Sequence, residues 1–162
     1  MSSSETFNKN KLTWLAEQVN VDFPTPESLR GRDIYLNQSA CVPSKLEFVN
    51  SNIPDGVFVL PVTEHRLTIR WAMIVAKQWD KEYDDVLEFL TQIELSEEYQ
   101  LFVALNGMMP IAACLSQVVD GELFISDIVI TDNTLDVDGF LGSVMEQQSS
   151  LHGTTFTTCI KA

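Results

Sequence analysis

Apolar and polar positions follow two periods along this chain, most clearly helical over 64–93 and strand-like over 101–130. Residues 10–20, NKLTWLAEQVN, predict a short helix burying Leu12, Leu15 and Val19, with residues 1–8 as a frayed tail. PTPESLRGRD (24–33) reads as a turn-rich connector holding at most one helical turn, restricted by Pro24 and Pro26 and ended by Gly31. A short strand is expected over Asp33–Asn37, a short helix over Pro43–Val49, and a loop over NSNIPDG (50–56). Val57–Val62 predicts a strand, and Pro61 points to an edge or a strand end. Glu64–Trp79 is the best helix. Arg66, Arg70, Lys77 and, just beyond its end, Lys81 fall within about 60° of one another at ~100° per residue, and nearly every other direction is apolar. Such a helix is almost wholly buried, or buried on one side and docked on the other. The stripe itself is either an anion-binding face or a solvated strip. A helix over Tyr83–Ile93 turns Val86, Leu87, Phe89, Leu90 and Ile93 inward.

Then the period changes to two. LFVAL (101–105), Asn106-Gly107, PIAACLSQVV (110–119), Asp120-Gly121 and ELFISDIVI (122–130) predict a three-stranded antiparallel meander, because Asn-Gly and Asp-Gly between apolar runs are strong hairpin signals. The first of these strands is apolar throughout, which implies cover on both faces. Asp136–Ser150 predicts a helix burying Val137, Phe140, Leu141, Val144 and Met145. Gly153 stops it, and TTFTTCI (154–160) is a last strand. The order gives an α+β fold with a mixed, mostly antiparallel central sheet flanked by helices. We expect a tail at 1–8 and one domain over 9–162, in which 9–62 form an extension completing the fold of a core at 63–162.

Charge changes the picture. From Glu82 onward the chain has fourteen acidic residues and one base, Lys161. Before that point acids and bases balance at nine each, so the net charge of -13 sits in the C-terminal half. That charge argues against nucleic acid, whose binding draws on Lys and Arg, and against an anionic membrane surface. It would attract a basic protein, a cationic small molecule or a metal ion, or serve solubility alone. At 45% hydrophobic the chain is too apolar for disorder. Cys41, Cys114 and Cys159 imply neither a disulfide framework nor a metal pair, and a reducing cytoplasm is expected. His65 and His152 are isolated, Ser116 and Ser126 are interior strand positions rather than nucleophiles, and MSSSETFNKNK has no signal-like apolar stretch. Asp84, Asp85 and Glu88 read as a solvated acidic cluster.

The helix, helix, meander, helix, strand order over 64–160 resembles the GNAT superfamily (GCN5-related N-acetyltransferases). The closest likeness is LFVALNGMMPIAACLSQVVDGELFISDIVI, similar to a family hairpin in which a line such as F-V-A-x-x-G-x-x-x-G-A-A precedes Y-I-x-D-L-x-V. The resemblance implies acetyl-CoA as a cofactor, held by backbone groups of Ile128, Val129 and Ile130 and by the turn carrying Gly139 and Gly142. In the family that turn follows Arg/Gln-x-x-Gly-x-Gly/Ala. Here TDNTLDVDGFLGSV (131–144) has no Arg or Gln ahead of its glycines, and Asp132, Asp136 and Asp138 crowd the helix start. Carboxylates there would cap the free N–H groups and repel a diphosphate; Thr134 or Asp136 is the expected N-cap. The family also continues past this strand with a helix that often supplies a Tyr general acid. Here Tyr35, Tyr83 and Tyr99 all lie upstream. Either the first sixty residues complete the sheet, or the last strand leaves an edge for a homodimer.

A general base for amine acetylation would be a carboxylate near the meander. Asp127 and Glu122 are the candidates, and strict alternation puts them on opposite faces of one strand. Asp127, set among Ile125, Ile128 and Val129, is expected to be buried with a raised pKa, or to be a strand residue facing a loop or bonded to backbone N–H groups. Two readings of function follow. In one the chain is a non-catalytic or weakly catalytic binding or regulatory module whose acidic face docks a basic partner. In the other it is an N-acetyltransferase moving an acetyl group to a small amine.

Overall fold

A computed structural model describes residues 2–39, 42–47, 52–153, 156 and 158–162. Its helices are α1 (Ser3–Glu17), α2 (Pro26–Leu36), α3 (His65–Ala76), α4 (Tyr83–Leu90) and α5 (Val137–His152), and its strands are β1 (Ser44–Lys45), β2 (Val57–Pro61), β3 (Gln100–Asn106), β4 (Met109–Val119), β5 (Glu122–Ile130) and β6 (Thr158–Lys161). The strands form one sheet in the order β1-β6-β5-β4-β3-β2, antiparallel except where β6 runs parallel to β5. The fold is α+β, as the period change implies.

Both faces of the sheet are covered. On one, Leu101, Val103, Leu105, Ala113, Leu115 and Phe124 pack under α1–α4; on the other, Phe102, Ala104, Ile111, Cys114, Leu123 and Ile125 pack under α5. The alternation along β3 is period two, so an apolar residue at every position buries both faces. The meander forms as expected, with one correction. The tight turn after β3 is Gly107-Met108, because Asn106 still pairs with Met109. At the second turn Asp120 (φ 49) and Gly121 (φ 78) both take the left-handed backbone that a two-residue hairpin demands. Gly153 closes α5 with φ 63.

The first sixty residues depart most from expectation. Positions 3–8, expected as a tail, are the first turns of α1, fixed by a capping box between Ser2 and Glu5. Its buried stripe is Phe7, Lys11 and Leu15 rather than one through Leu12, which is 41% exposed. The connector and strand expected over 24–37 are instead α2. Thr25 Oγ1 accepts from Ser28 N at 3.1 Å and Pro26 opens the first turn. In place of a helix over 43–49 stands β1, paired to β6; positions 48–51 and Cys41 lie outside the described residues. Residues ahead of the core thus supply strands at both margins of the sheet, β1 beside β6 and β2 beside β3.

Gly31 does not end a helix but lets two meet. A Cβ there would lie 1.9 Å from the backbone oxygen of Asp85 on α4. Arg30 Nε and Nη2 clasp the Asp85 carboxylate at 3.1 and 3.2 Å, and Thr25 Oγ1 donates to Glu88 at 3.3 Å. The acidic cluster on α4 is therefore partly a docking surface for α2. In an unconstrained helix Gly→Ala stabilises by up to about 1 kcal/mol. Here Gly31→Ala is expected to cost about 1–3 kcal/mol in urea unfolding, because backbone blocks the new methyl.

Candidate functional site

The site is built around an irregularity in β5. Its register with β4 shifts between Ala113 and Leu115, where Ala113 faces Val129 and Leu115 faces Ser126. Asp127 and Ile128 together oppose Cys114, which is a β-bulge, and Asp127 takes φ 54. The extra residue resets the alternation. Leu123 and Ile125 face α5, and Phe124 faces the α1–α4 layer; an unbroken strand would turn Asp127 toward α5. Instead its carboxylate meets α1 and α2. Lys11 Nζ donates to Asp127 Oδ2 at 2.8 Å and to Ser126 Oγ at 3.4 Å, Ser126 Oγ donates to Asp127 Oδ2 at 2.7 Å, and the Tyr35 hydroxyl donates to Oδ1. Glu122 also lies toward the α1–α4 layer, among residues including Phe7 and Phe124. The expectation that the two acids face opposite ways fails because of the bulge.

These contacts fix the charge state. Burial alone would raise the Asp127 pKa, but the Lys11 charge and the hydrogen bonds from Lys11, Tyr35 and Ser126 outweigh it and hold the carboxyl below the usual range. The raised pKa expected from the sequence is corrected for that reason. Its partners are side chains rather than backbone N–H groups. Burial, then the neighbouring Asp127 charge, pushes the Tyr35 hydroxyl well above its ordinary value, so it stays a donor. The ion pair is almost dry, with side-chain exposures of 10% for Lys11 and 9% for Asp127. Burial also pushes up the Cys114 and Cys159 thiols. Among the described residues no group of three or more His, Cys, Asp or Glu could hold a metal ion.

Two cavities flank this network. A cavity of about 440 Å³ opens where β6 ends: β5 pairs with β6 only as far as Ile125, so Ile128 and Ile130 border open space with Asp127, Tyr35, Val137 and Lys161. The larger, about 780 Å³, lies at the other end of the sheet, bordered by α1, residues 97–100, the β4–β5 turn, and Gln148 and His152 of α5. Glu122 lines the larger and Asp127 the smaller, so the structure does not bring the two candidate acids into one cavity.

The resemblance would put a diphosphate at the start of α5. Asp136 is the N-cap, one of the two residues expected there, but its side chain makes no cap bond, and Asp132 Oδ1 accepts from Thr134 N at 2.9 Å. The first helical N–H groups are therefore not closed by side chains. Gly139 lies against the backbone oxygen of Asn52, 2.6 Å from where a Cβ would stand, and Gly142 is buried. Asp136 and Asp138 are exposed and Asp132 half-buried, with no basic side chain anywhere in 131–144. Val137, expected in the core, is 39% exposed at the cavity wall. Of the two lysines lining that cavity, Lys11 is already paired with Asp127. This set of groups does not fit a diphosphate.

No family model and no curated protein matches the sequence. Among solved structures, a GCN5-related N-acetyltransferase from Kribbella flavida is similar at 10% identity with a TM-score of 0.49. The match covers 74% of this chain and 49% of that one, so this chain spans about half the length of that protein. No residue role follows from a likeness of that size.

Sequence reasoning found Asp127 but missed Lys11, which lay beside the supposed tail, and passed over Tyr35 and Ser126. The available signal was the helical spacing Phe7, Lys11, Leu15, which puts a lysine in an apolar stripe. Asp127→Asn strands the Lys11 charge and is expected to cost about 3–5 kcal/mol, whereas Tyr35→Phe removes one hydrogen bond at about 1–3 kcal/mol. Because the folded Asp127 pKa lies below the unfolded one, its contribution is full above about pH 4 and is lost as the pH falls through the folded value. The gap in Tm between the wild type and D127N should accordingly narrow between about pH 7 and about pH 3.

Proposed function

We propose that this protein is a non-catalytic or weakly catalytic binding or regulatory module on a GNAT-like scaffold, with an acidic face that docks a basic partner. The observation that carries this reading is the commitment of Asp127. A general base needs a free lone pair and a pKa near the working pH. Asp127 is instead ion-paired, accepts from two hydroxyls and is held below the usual carboxylate range. Supporting it, the carboxylates at 132, 136 and 138 disfavour the polyanion that acyl transfer from acetyl-CoA would need at the start of α5. The scaffold part rests on the order of meander, helix and parallel strand, with β6 beside the last strand of the meander.

An N-acetyltransferase acting on a small amine is the second reading. What favours it is the free stretch of β5 at Ile128–Ile130 beside an open cavity. Calorimetry with acetyl-CoA at low salt separates the two. The module reading expects no heat and no rise in Tm at large cofactor excess. Micromolar heat with a matching Tm rise would overturn it in favour of the enzyme.

A further inference from the structure

The cationic stripe of α3 stands outward in the fold. Arg66, Ile69, Arg70, Met73 and Lys77 follow one another at helical spacing and share an arc of about 100° at ~100° per residue. Thr68, Trp71, Ala72, Ile74, Val75 and Ala76 take the rest of the helix into the core. Arg66, Ile69, Met73 and Lys77 are exposed, and Arg70 is half-buried.

Two observations set this ridge apart. The first concerns charge. Lys11, Arg30 and Arg32 each find a carboxylate. Arg66, Arg70, Lys77 and Lys81 make no ion pair among the described residues, although the chain has 23 acidic residues to 10 basic ones and Glu64, Asp80 and Glu82 stand close in sequence. The second concerns apolar surface. Ile69 and Met73, one helical turn apart, are both open to solvent, and the β3–β4 turn adds Met108 and Met109, 75% and 66% exposed. Arg70 Nη1 donates to the backbone oxygen of Met108, which holds that turn beside the ridge. Flexible, polarisable methionines in an exposed patch suit a surface that shapes itself to a partner. A solvated strip would use the cations but gains nothing from the apolar side chains between them.

Cations interleaved with apolar side chains select what lies on them. We propose that the outer face of α3 is a docking ridge for an acidic amphipathic segment of a partner protein. Its carboxylates would meet Arg66, Arg70 and Lys77, and its apolar side chains Ile69, Met73 and the methionines of the turn. A second copy of this chain fits poorly, because two α3 helices packed antiparallel about Ile69 and Met73 would set Arg66 against Lys77. A nucleic acid or an anionic bilayer presents an extended polyanion to a molecule of net charge -13, whereas a short segment meets one ridge. The proposal is independent of the acidic-face reading, which concerns carboxylates and a basic partner.

The test uses the full chain at about 0.15 M salt, where charges beyond about 8 Å are largely screened. The probes are two blocked peptides, Glu-Leu-Leu-Glu repeated three times and its serine counterpart, Glu-Ser-Ser-Glu repeated three times. By calorimetry the leucine peptide is expected to bind about tenfold or more tightly than the serine peptide. The double variant Arg66→Gln, Lys77→Gln should weaken it about tenfold, while Lys9→Gln, Lys45→Gln, of equal net charge and away from α3, should not. A readout on the unaltered chain locates the contact: with methyl-labelled methionine, the leucine peptide should shift the Met73, Met108 and Met109 resonances and leave that of Met145, buried under α5, in place. No binding, equal affinity for both peptides, equal losses in the two double variants, or methyl shifts that bypass Met73 would each overturn the ridge. Oligothymidylate binding more tightly than the leucine peptide, with the same methyl shifts, would overturn the protein partner in favour of a nucleic acid. Failure on any of these counts leaves the acidic-face reading as it stands.

Discussion

One buried ion pair organises this molecule. Lys11 on the first helix and Asp127 on the bulge of β5 are separated by most of the chain, and each is nearly dry. Neither charge is tolerable in that setting alone, so the first helix must seat against the bulge for the sheet's last long strand to keep its shape. The bulge in turn holds Asp127 at φ 54, a left-handed conformation costing a non-glycine residue about 1–2 kcal/mol. Ser126 and Tyr35 supply the remaining hydrogen bonds that make the arrangement pay. The same irregularity bears on the neighbouring strand. The carbonyl of Cys114, opposite the bulge, accepts from the indole of Trp71 on α3 at 2.9 Å.

That pair also divides the α1–α4 face into two chemically different ends. Near Asp127 the carboxylate has been neutralised from within, and the cavity beside it is lined by Ile128, Ile130 and Val137 together with Tyr35, Gln38, Gln78 and Lys161. Near Glu122 no Lys or Arg is among the lining residues. The start of α5 carries aspartates at 132, 136 and 138 and no basic side chain over 131–144.

The later half of the chain was far more readable than the earlier half. Hairpin turns, period-two alternation and the Gly153 stop are short-range signals, and β3, β4, β5 and α5 follow them closely. In α2 the residues that looked like breakers, Pro26 and Gly31, are respectively an N-terminal opener and a close-approach point, a distinction that depends on α4 lying across the helix. β1 exists because β6 offers it an edge, through pairs such as Lys45 with Ile160. Its two residues have no strand pattern of their own to read.

By itself the sequence determined the α+β class, the meander, the buried α3 and α4, and the acidity, because period, turn chemistry and charge are local properties of the chain. It could single out Asp127 as an acid in an apolar strand. Only the tertiary structure decided which way that acid faces and what state it holds, because one inserted residue reverses alternation and a cation from 116 positions away sets the pKa. The acid-rimmed cleft was likewise beyond the sequence. Its carboxylates and rings come from α1, the 97–100 segment, the β4–β5 turn and the start of β5, and packing alone brings those together.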